Sequence, residues 1–291
     1  MDLIVLISHL GFPQECQLAS DVDGVDVLLS AHTHNRLEKP FIVGDTIIIQ
    51  SGCHGSFVGR LDLEVDGGVR RFRHELIKVK GEPDPDTEEL VLKATEKDSD
   101  YLERVVGSTS THLNRYTIME STMDNILLKS IMATGEFDVA FSNGWRYGAP
   151  VPPGDIKVED LWNIIPTNPP VSSVELTGRE IWNMMEENIE LTFSRNPYNQ
   201  MGGYLKRFMG MEIYFKIENP PGARIQKIFI NGKSMDPSGR YRAVYVTSQG
   251  VPDVYGENHS ASDLRAVDAL IEYVERKSPV ESEINGSITA V

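Results

Sequence analysis

The chain has 291 residues, 40% of them hydrophobic and 24% charged, an ordinary globular composition that excludes disorder along the whole length and predicts two domains at roughly 100–200 residues each. Acids outnumber bases 43 to 28, and the net charge of −15 repels phosphate backbones, which disfavours general nucleic-acid binding. No apolar run approaches the ~20 residues that span a bilayer, and two cysteines, Cys16 and Cys53, are too few for a disulfide scaffold.

The first residues lack a basic stretch and a small-residue cleavage site, so no signal peptide is expected in this chain. Residues 3–7 form a continuous apolar run, the pattern of a strand buried on both faces. Residues 14–21 are long enough for a short helix, and residues 25–29 form a second apolar run; together they predict a parallel strand–helix–strand unit. Phe41–Val43 and residues 46–50 flank Gly44 and Asp45, a two-residue hairpin turn. Leu61, Leu63 and Val65 alternate with acids before Gly67 and Gly68 turn the chain, which reads as a half-exposed antiparallel strand.

Residues 81–110 carry nine acids and three bases. They read as a stiff acidic linker followed by one polar connecting helix over 87–106 with a modest apolar stripe. Farther on, residues 124–134 predict a helix and 137–141 a strand. Thr177 and Glu180 form a capping box ahead of Ile181, Met184, Met185, Ile189 and Phe193 at helical spacing, where methionine serves as core filler. Residues 211–217, Ile225–Ile230 and 241–247 predict strands, Asn231 and Gly232 a turn, and residues 266–274 a closing helix.

The sharpest chemical signal is a buried strand running through Leu28 and Leu29 into His32, Thr33 and His34. In extended backbone, residues two apart face the same way, so both imidazoles can converge. His9 follows the other apolar strand in the same manner. Neighbouring parallel strands deliver their carboxyl ends to one edge, where α/β proteins place ligands. Three imidazoles there suit zinc or manganese; the competing reading is hydrogen-bonded turn histidines. His54, between Gly52 and Gly55, is either at the rim of this site or a surface residue. Cys53 reads as a structural thiol. In the second half, Asn143, Gly144, Trp145, Arg146 and Tyr147 follow a strand, and an Arg in a Gly-containing loop offers a planar fork for an anion. Gly202 and Gly203 predict a flexible loop that approaches a ligand closely.

These motifs resemble the last two metal motifs of calcineurin-like metallophosphoesterases, and the second half resembles the C-terminal domain of 5′-nucleotidases; the likeness covers nearly the whole chain. It implies a fold class of α/β: an incomplete layered metallophosphoesterase α/β sandwich over residues 1–80, an acidic linker and connecting helix over 81–117, and an α/β substrate-binding domain over 118–291. It implies metal ligands at His9 and His32 for one ion and His34 for the other, two divalent ions in all, manganese or zinc. The family's Asp-x-His, Gly-Asp-x-x-Asp and Gly-Asn-His-Asp/Glu motifs should precede His9, where only eight residues stand. The resemblance therefore implies an N-terminally incomplete chain, with the missing half supplied elsewhere or in trans. No catalytic residue proper is assigned in this chain. Ala31 replaces the usual Gly.

For the substrate, the resemblance implies Arg146 and Asn143 on the anionic end, with Trp145, Gly202, Gly203 and Tyr255 around it. Residues 248–256 lack the diglycine that precedes the base-stacking aromatic of nucleotidases, so Tyr255 is a stand-in. Asn196, Pro197, Tyr198, Gln200, Gly202 and Gly203 are similar to a stretch in the thiosulfohydrolases of sulfur oxidation (SoxB). The expected function is thus a metal-dependent hydrolase of nucleotide-type phosphate esters. Two alternatives stand beside it: a SoxB-like enzyme releasing sulfate from a cysteine of a sulfur-carrier protein, and an inert fragment or binding module. The complete protein would be periplasmic or exported, without a membrane span.

Overall fold

A computed structural model of the chain describes residues 3–144 and 148–291. Two compact units divide it: Met1–Glu89 with Ser194–Gly203, and Leu90–Phe193 with Tyr204–Val291.

The first unit opens with β1 (Val5–Ile7), α1 (Phe12–Asp21), β2 (Val27–Leu29), β3 (Phe41–Val43) and β4 (Thr46–Ile49), followed by the hairpin of β5 (Phe57–Val65) and β6 (Val69–Lys78). The sheet order is β1-β2-β4-β3. β1, β2 and β4 run parallel, with Ile7 opposite Leu29 and Leu29 opposite Ile49. Residues alternate across this sheet. Leu28 and Ile48 pack with Ala19 of α1 on one face, while Val27, Ile47 and Ile49 meet Leu61, Leu63 and Val69 of the hairpin on the other. β1 corrects the expectation of a strand buried on both faces: Ile7 is 79% exposed and Val5 46%, because β1 pairs only with β2 and is an edge. The stretch Ser194–Gly203 belongs to this unit. It carries a single 3₁₀ turn, Pro197–Asn199. Gln14 Nε2 of α1 donates to Gln200 O at 2.9 Å, and Tyr198 OH donates to Asp21 Oδ2 at 2.8 Å.

The connecting segment is not one helix. It divides into α2 (Pro85–Thr95), α3 (Ser99–Leu102) and β7 (Val105–Thr109). No residue of α2 is buried, so nothing apolar prolongs it past Thr95, and its predicted stripe residues Leu90 and Leu92 face solvent.

In the second unit there follow α4 (Thr122–Met132), β8 (Val139–Ser142), β9 (Gly154–Lys157), α5 (Val158–Ile164), β10 (Pro170–Thr177) and α6 (Gly178–Phe193). After the excursion come β11 (Arg207–Met209), β12 (Met211–Phe215), β13 (Ile225–Ile230), β14 (Lys233–Ser234), β15 (Arg240–Val246), β16 (Glu257–Arg265), α7 (Ala266–Lys277) and β17 (Ile288–Ala290). A five-stranded sheet, β11-β8-β15-β10-β16, separates two cores. Ala140, Val244 and Val246 pack under α4, α5 and α7; Val139, Phe141 and Ala243 pack against α6 and β12–β13. The capping box forms: Thr177 N and Oγ1 both donate to Glu180 Oε2, and Glu180 N donates back to Thr177 Oγ1. Among the described residues, no helix is long and apolar enough to cross a membrane.

Candidate functional site

Three parallel strands end at one edge of the first unit, and each leads to histidine. The chain leaves β1 at Ile7 and reaches His9; it leaves β2 at Leu29 and reaches His32 and His34; it leaves β4 at Ile49 and reaches His54. The ladder persists beyond the strands, with Ser8 N donating to Leu29 O and Ser30 N to Ile49 O, so the loops start in register.

His9 Nε2 and His32 Nδ1 lie 3.3 Å apart, with ring centres 5.0 Å apart in an edge arrangement. His34 faces His54, ring centres 6.1 Å apart and planes 64° apart. His32, His34 and His54 all sit in the left-handed backbone region, at φ 66°, 58° and 57°, an uncommon conformation for residues other than glycine. The loop is held there by Gln50, a buried residue directly after β4. Its Oε1 accepts from Asn35 N at 2.7 Å and its Nε2 donates to Ala31 O at 2.5 Å and to Thr33 Oγ1 at 3.3 Å. Thr33 Oγ1 in turn accepts from Phe12 N at the start of α1. Behind this, the fully buried Glu15 accepts a hydrogen bond from Ser30 Oγ and one from Gly11 N. Cys16 and Cys53 are not joined in a disulfide. Burial raises the Cys16 thiol to about 11, with Glu15 adding to the rise, which keeps it protonated and inert.

Two nitrogens bound to one tetrahedral or octahedral ion at ~2.1 Å stand roughly 3.0–3.4 Å apart, so the His9–His32 separation suits a shared transition-metal ion. The donor set fits in type and spacing but is short in number. Among the described residues, no three or more His, Cys, Asp or Glu gather as a metal ion requires.

In the second unit, the parallel strands β8 and β15 also end together. After β8, Asn143 Nδ2 donates to Gln249 Oε1 at 2.7 Å. Gly144, at φ 79°, leaves no room for a side chain: an added Cβ would lie 2.7 Å from Arg207 Nε and 2.8 Å from Leu205 O. Lys206 is buried, its Nζ donating to Gln249 O and to Gly250 O (2.7 Å). Burial lowers its amine to about 8, partly opposed by Glu187. Beneath, Asp124 accepts from Arg207 Nε at 3.1 Å and from Arg115 Nε at 3.0 Å, all three side chains buried. Tyr255 packs against the α6-side core, with its OH donating to Glu187 Oε2 at 3.0 Å; burial and that carboxylate push the phenol up to about 12.

Of the predicted histidines, His9 and His32 therefore approach each other, while His34 faces His54. Asn143 and Tyr255 belong to the second unit, and Gly202 and Gly203 to the first. Trp145 and Arg146 lie outside the described residues. Gln50 is not among the sequence-derived candidates, and Lys206 adds only positive charge to the stretch after Gly202 and Gly203. The one local signal for Gln50 is a polar residue closing the run Thr46, Ile47, Ile48, Ile49; Lys206 had none beyond its charge.

Residues 105–248 match the family model for the 5′-nucleotidase C-terminal domain. The chain is 25% identical over 250 residues to the trifunctional nucleotide phosphoesterase protein YfkN of Bacillus subtilis, covering 80% of this chain and 17% of that protein. It is 24% identical over 272 residues to the 5′-nucleotidase of Diplobatis ommata, covering 78% and 45%. Among solved structures, the sulfate thiohydrolase SoxB of Thermus thermophilus, in complex with glycerol, superposes with a TM-score of 0.93 at 26% identity, covering 100% of this chain and 55% of that one. The chain thus spans about half or less of the length of these relatives.

Proposed function

From a chain whose residues 105–248 are a 5′-nucleotidase C-terminal domain, we propose a role in a metal-dependent hydrolase of that family, acting on phosphate esters of nucleotide-type substrates. The chain contributes the histidine side of a two-metal site and a substrate-binding domain. The observation that carries the reading is the 3.3 Å approach of His9 Nε2 to His32 Nδ1 at the carboxyl edge of parallel strands. His9 and His32 would hold one manganese or zinc ion and His34 the other, and such ions would supply Lewis-acid activation of the ester and of an attacking water. The chain's own residues do the rest. Gln50 and Thr33 fix the backbone that carries His32 and His34. Asn143, oriented by Gln249, stands where the substrate loop leaves β8, and Lys206 keeps the opposing loop of Gln249 and Gly250 in place. Neutral imidazoles are required as ligands, so metal affinity falls as they protonate. The export typical of such enzymes goes with this reading.

A second reading, a SoxB-like thiosulfohydrolase acting on a carrier protein's cysteine conjugate, is favoured by residues 196–203 and by the likeness to SoxB. The test is hydrolysis by the chain supplied with Mn²⁺ or Zn²⁺. Phosphate released from nucleoside monophosphates and lost in His32→Ala supports the first reading. Sulfate released from an S-sulfonated cysteine carrier, without nucleotide turnover, supports the second. Neither product from a preparation shown to hold two equivalents of metal leaves the chain as a binding module and overturns both.

A further inference from the structure

We propose that Thr247 binds substrate, its hydroxyl sharing a hydrogen bond with a hydroxyl of the ligand seated at the carboxyl edge of the second unit's five-stranded sheet. The inference rests on the nucleotide reading above and names a contact which that reading does not use.

Thr247 follows β15 directly. Tyr245 lies opposite Phe141 of β8, so Thr247 and Asn143 leave the two parallel strands at one edge, where α/β folds seat their ligands. The backbone of Thr247 is left-handed, at φ 62°. The other non-glycine residues described in that region are histidines and asparagines, which tolerate it; a β-branched side chain there is a true outlier. The surroundings enforce the strain. Gly250 N donates to Thr247 O at 2.9 Å and Val251 N to the same oxygen at 3.4 Å, so the chain folds back at once. Gly250 is pressed onto the strand ends: an added Cβ would lie 2.5 Å from Val246 O and 3.3 Å from Phe141 O. Lys206 Nζ holds the turn through Gln249 O and Gly250 O. Strain over-determined in this way gathers at ligand sites.

The hydroxyl is an independent observation. Thr247 is half-buried, yet its Oγ1 is enclosed and has no hydrogen-bond partner among the described residues. An enclosed, unpaired hydroxyl weakens a fold, so folding alone favours valine, of the same shape, at this position. A ligand supplies the missing partner once rotation about χ1 turns Oγ1 towards it. Burying an ion beside a single uncharged dipole costs more than the bond returns. The fitting partner is therefore neutral and both gives and takes a hydrogen bond, which is the chemistry of the ribose hydroxyls of a nucleotide.

The experiment is calorimetric binding of AMP, 2′-deoxy-AMP and 3′-deoxy-AMP to the chain and to its Thr247→Val and Thr247→Ser variants, with denaturation midpoints for each protein. Thr247→Val should weaken AMP roughly three- to tenfold, and Thr247→Ser, which keeps the hydroxyl, should bind as the parent does. One deoxy analogue, already weaker on the parent, should lose nothing further on Thr247→Val. The midpoint of Thr247→Val should equal or exceed the parent's, because an unmade hydrogen bond has been removed. AMP affinity unchanged in Thr247→Val overturns the Thr247 assignment and leaves the nucleotide reading standing. Equal losses for AMP and both analogues, or a lowered midpoint, show that the residue acts through the shape of the turn and overturn the hydroxyl contact. A parent that binds no AMP brings down the nucleotide reading and this assignment with it.

Discussion

Arg207 Nε donates to Asp124 Oδ2 across 3.1 Å, and both side chains are 1% exposed. Asp124 serves Arg115 as well, at 3.0 Å, so one carboxylate answers two buried guanidiniums. Removing it strands both charges. Asp124→Asn should cost about 3–5 kcal/mol in chemical denaturation. Arg207→Met should cost less, because Arg115 still balances the carboxylate, and the double variant should be less destabilised than the sum of the two.

Lys206 makes stability depend on pH. Its folded value, about 8, lies below the ordinary 10.5, so between those values the unfolded chain binds more protons than the folded one. Stability from this group therefore rises with pH from about 8 towards 10.5, on the order of 3 kcal/mol in total, and is absent below 8. Denaturant titrations of the parent and Lys206→Met at pH 7.5 and 9.5 check the sign: the parent should gain relative to the variant at the higher pH.

Gly144→Ala should be destabilising by about 1–3 kcal/mol, from the left-handed backbone and from contact with Arg207 Nε and Leu205 O. Its melting temperature should fall. Gly222→Ala, also at positive φ but with no neighbour within 4 Å of an added Cβ, should fall less, which separates the backbone cost from the steric one.

Gln50→Leu should loosen the loop bearing His32 and His34. Amide exchange distinguishes this from general destabilisation. The Asn35 amide, bonded to the Gln50 side chain, should exchange much faster. The Leu37 amide, bonded to the Gln50 main-chain oxygen, should stay protected. Loss of protection at both would show general destabilisation, and unchanged exchange at Asn35 would show that the side chain is not what holds the loop.

What the sequence revealed depended on whether a residue's partner is dictated locally. The placement of His9, His32 and His34 after strands of one sheet is legible because each follows an apolar run, and parallel strands share an edge. The capping box at Thr177 was legible because its partner is three residues away. β1 was misjudged because an apolar run reports hydrophobicity, not the number of neighbouring strands. β16 was not foreseen: its residues, Glu257 to Arg265, are polar, since it borders the sheet and pairs only with β10. The Gln50 contacts and the facing of His34 with His54 arise from the meeting of two loops, which no local pattern encodes.

The bond from Gln14 to Gln200 joins positions 186 residues apart within one compact unit. Its consequence concerns time. A ribosome that has just released Glu89 still owes this unit Ser194–Gly203. At about 5–20 residues per second, that stretch arrives roughly 5–20 s later. Until then Gln14 and Asp21 of α1 lack these partners and stay hydrogen-bonded to water while α4, α5 and α6 are being synthesised.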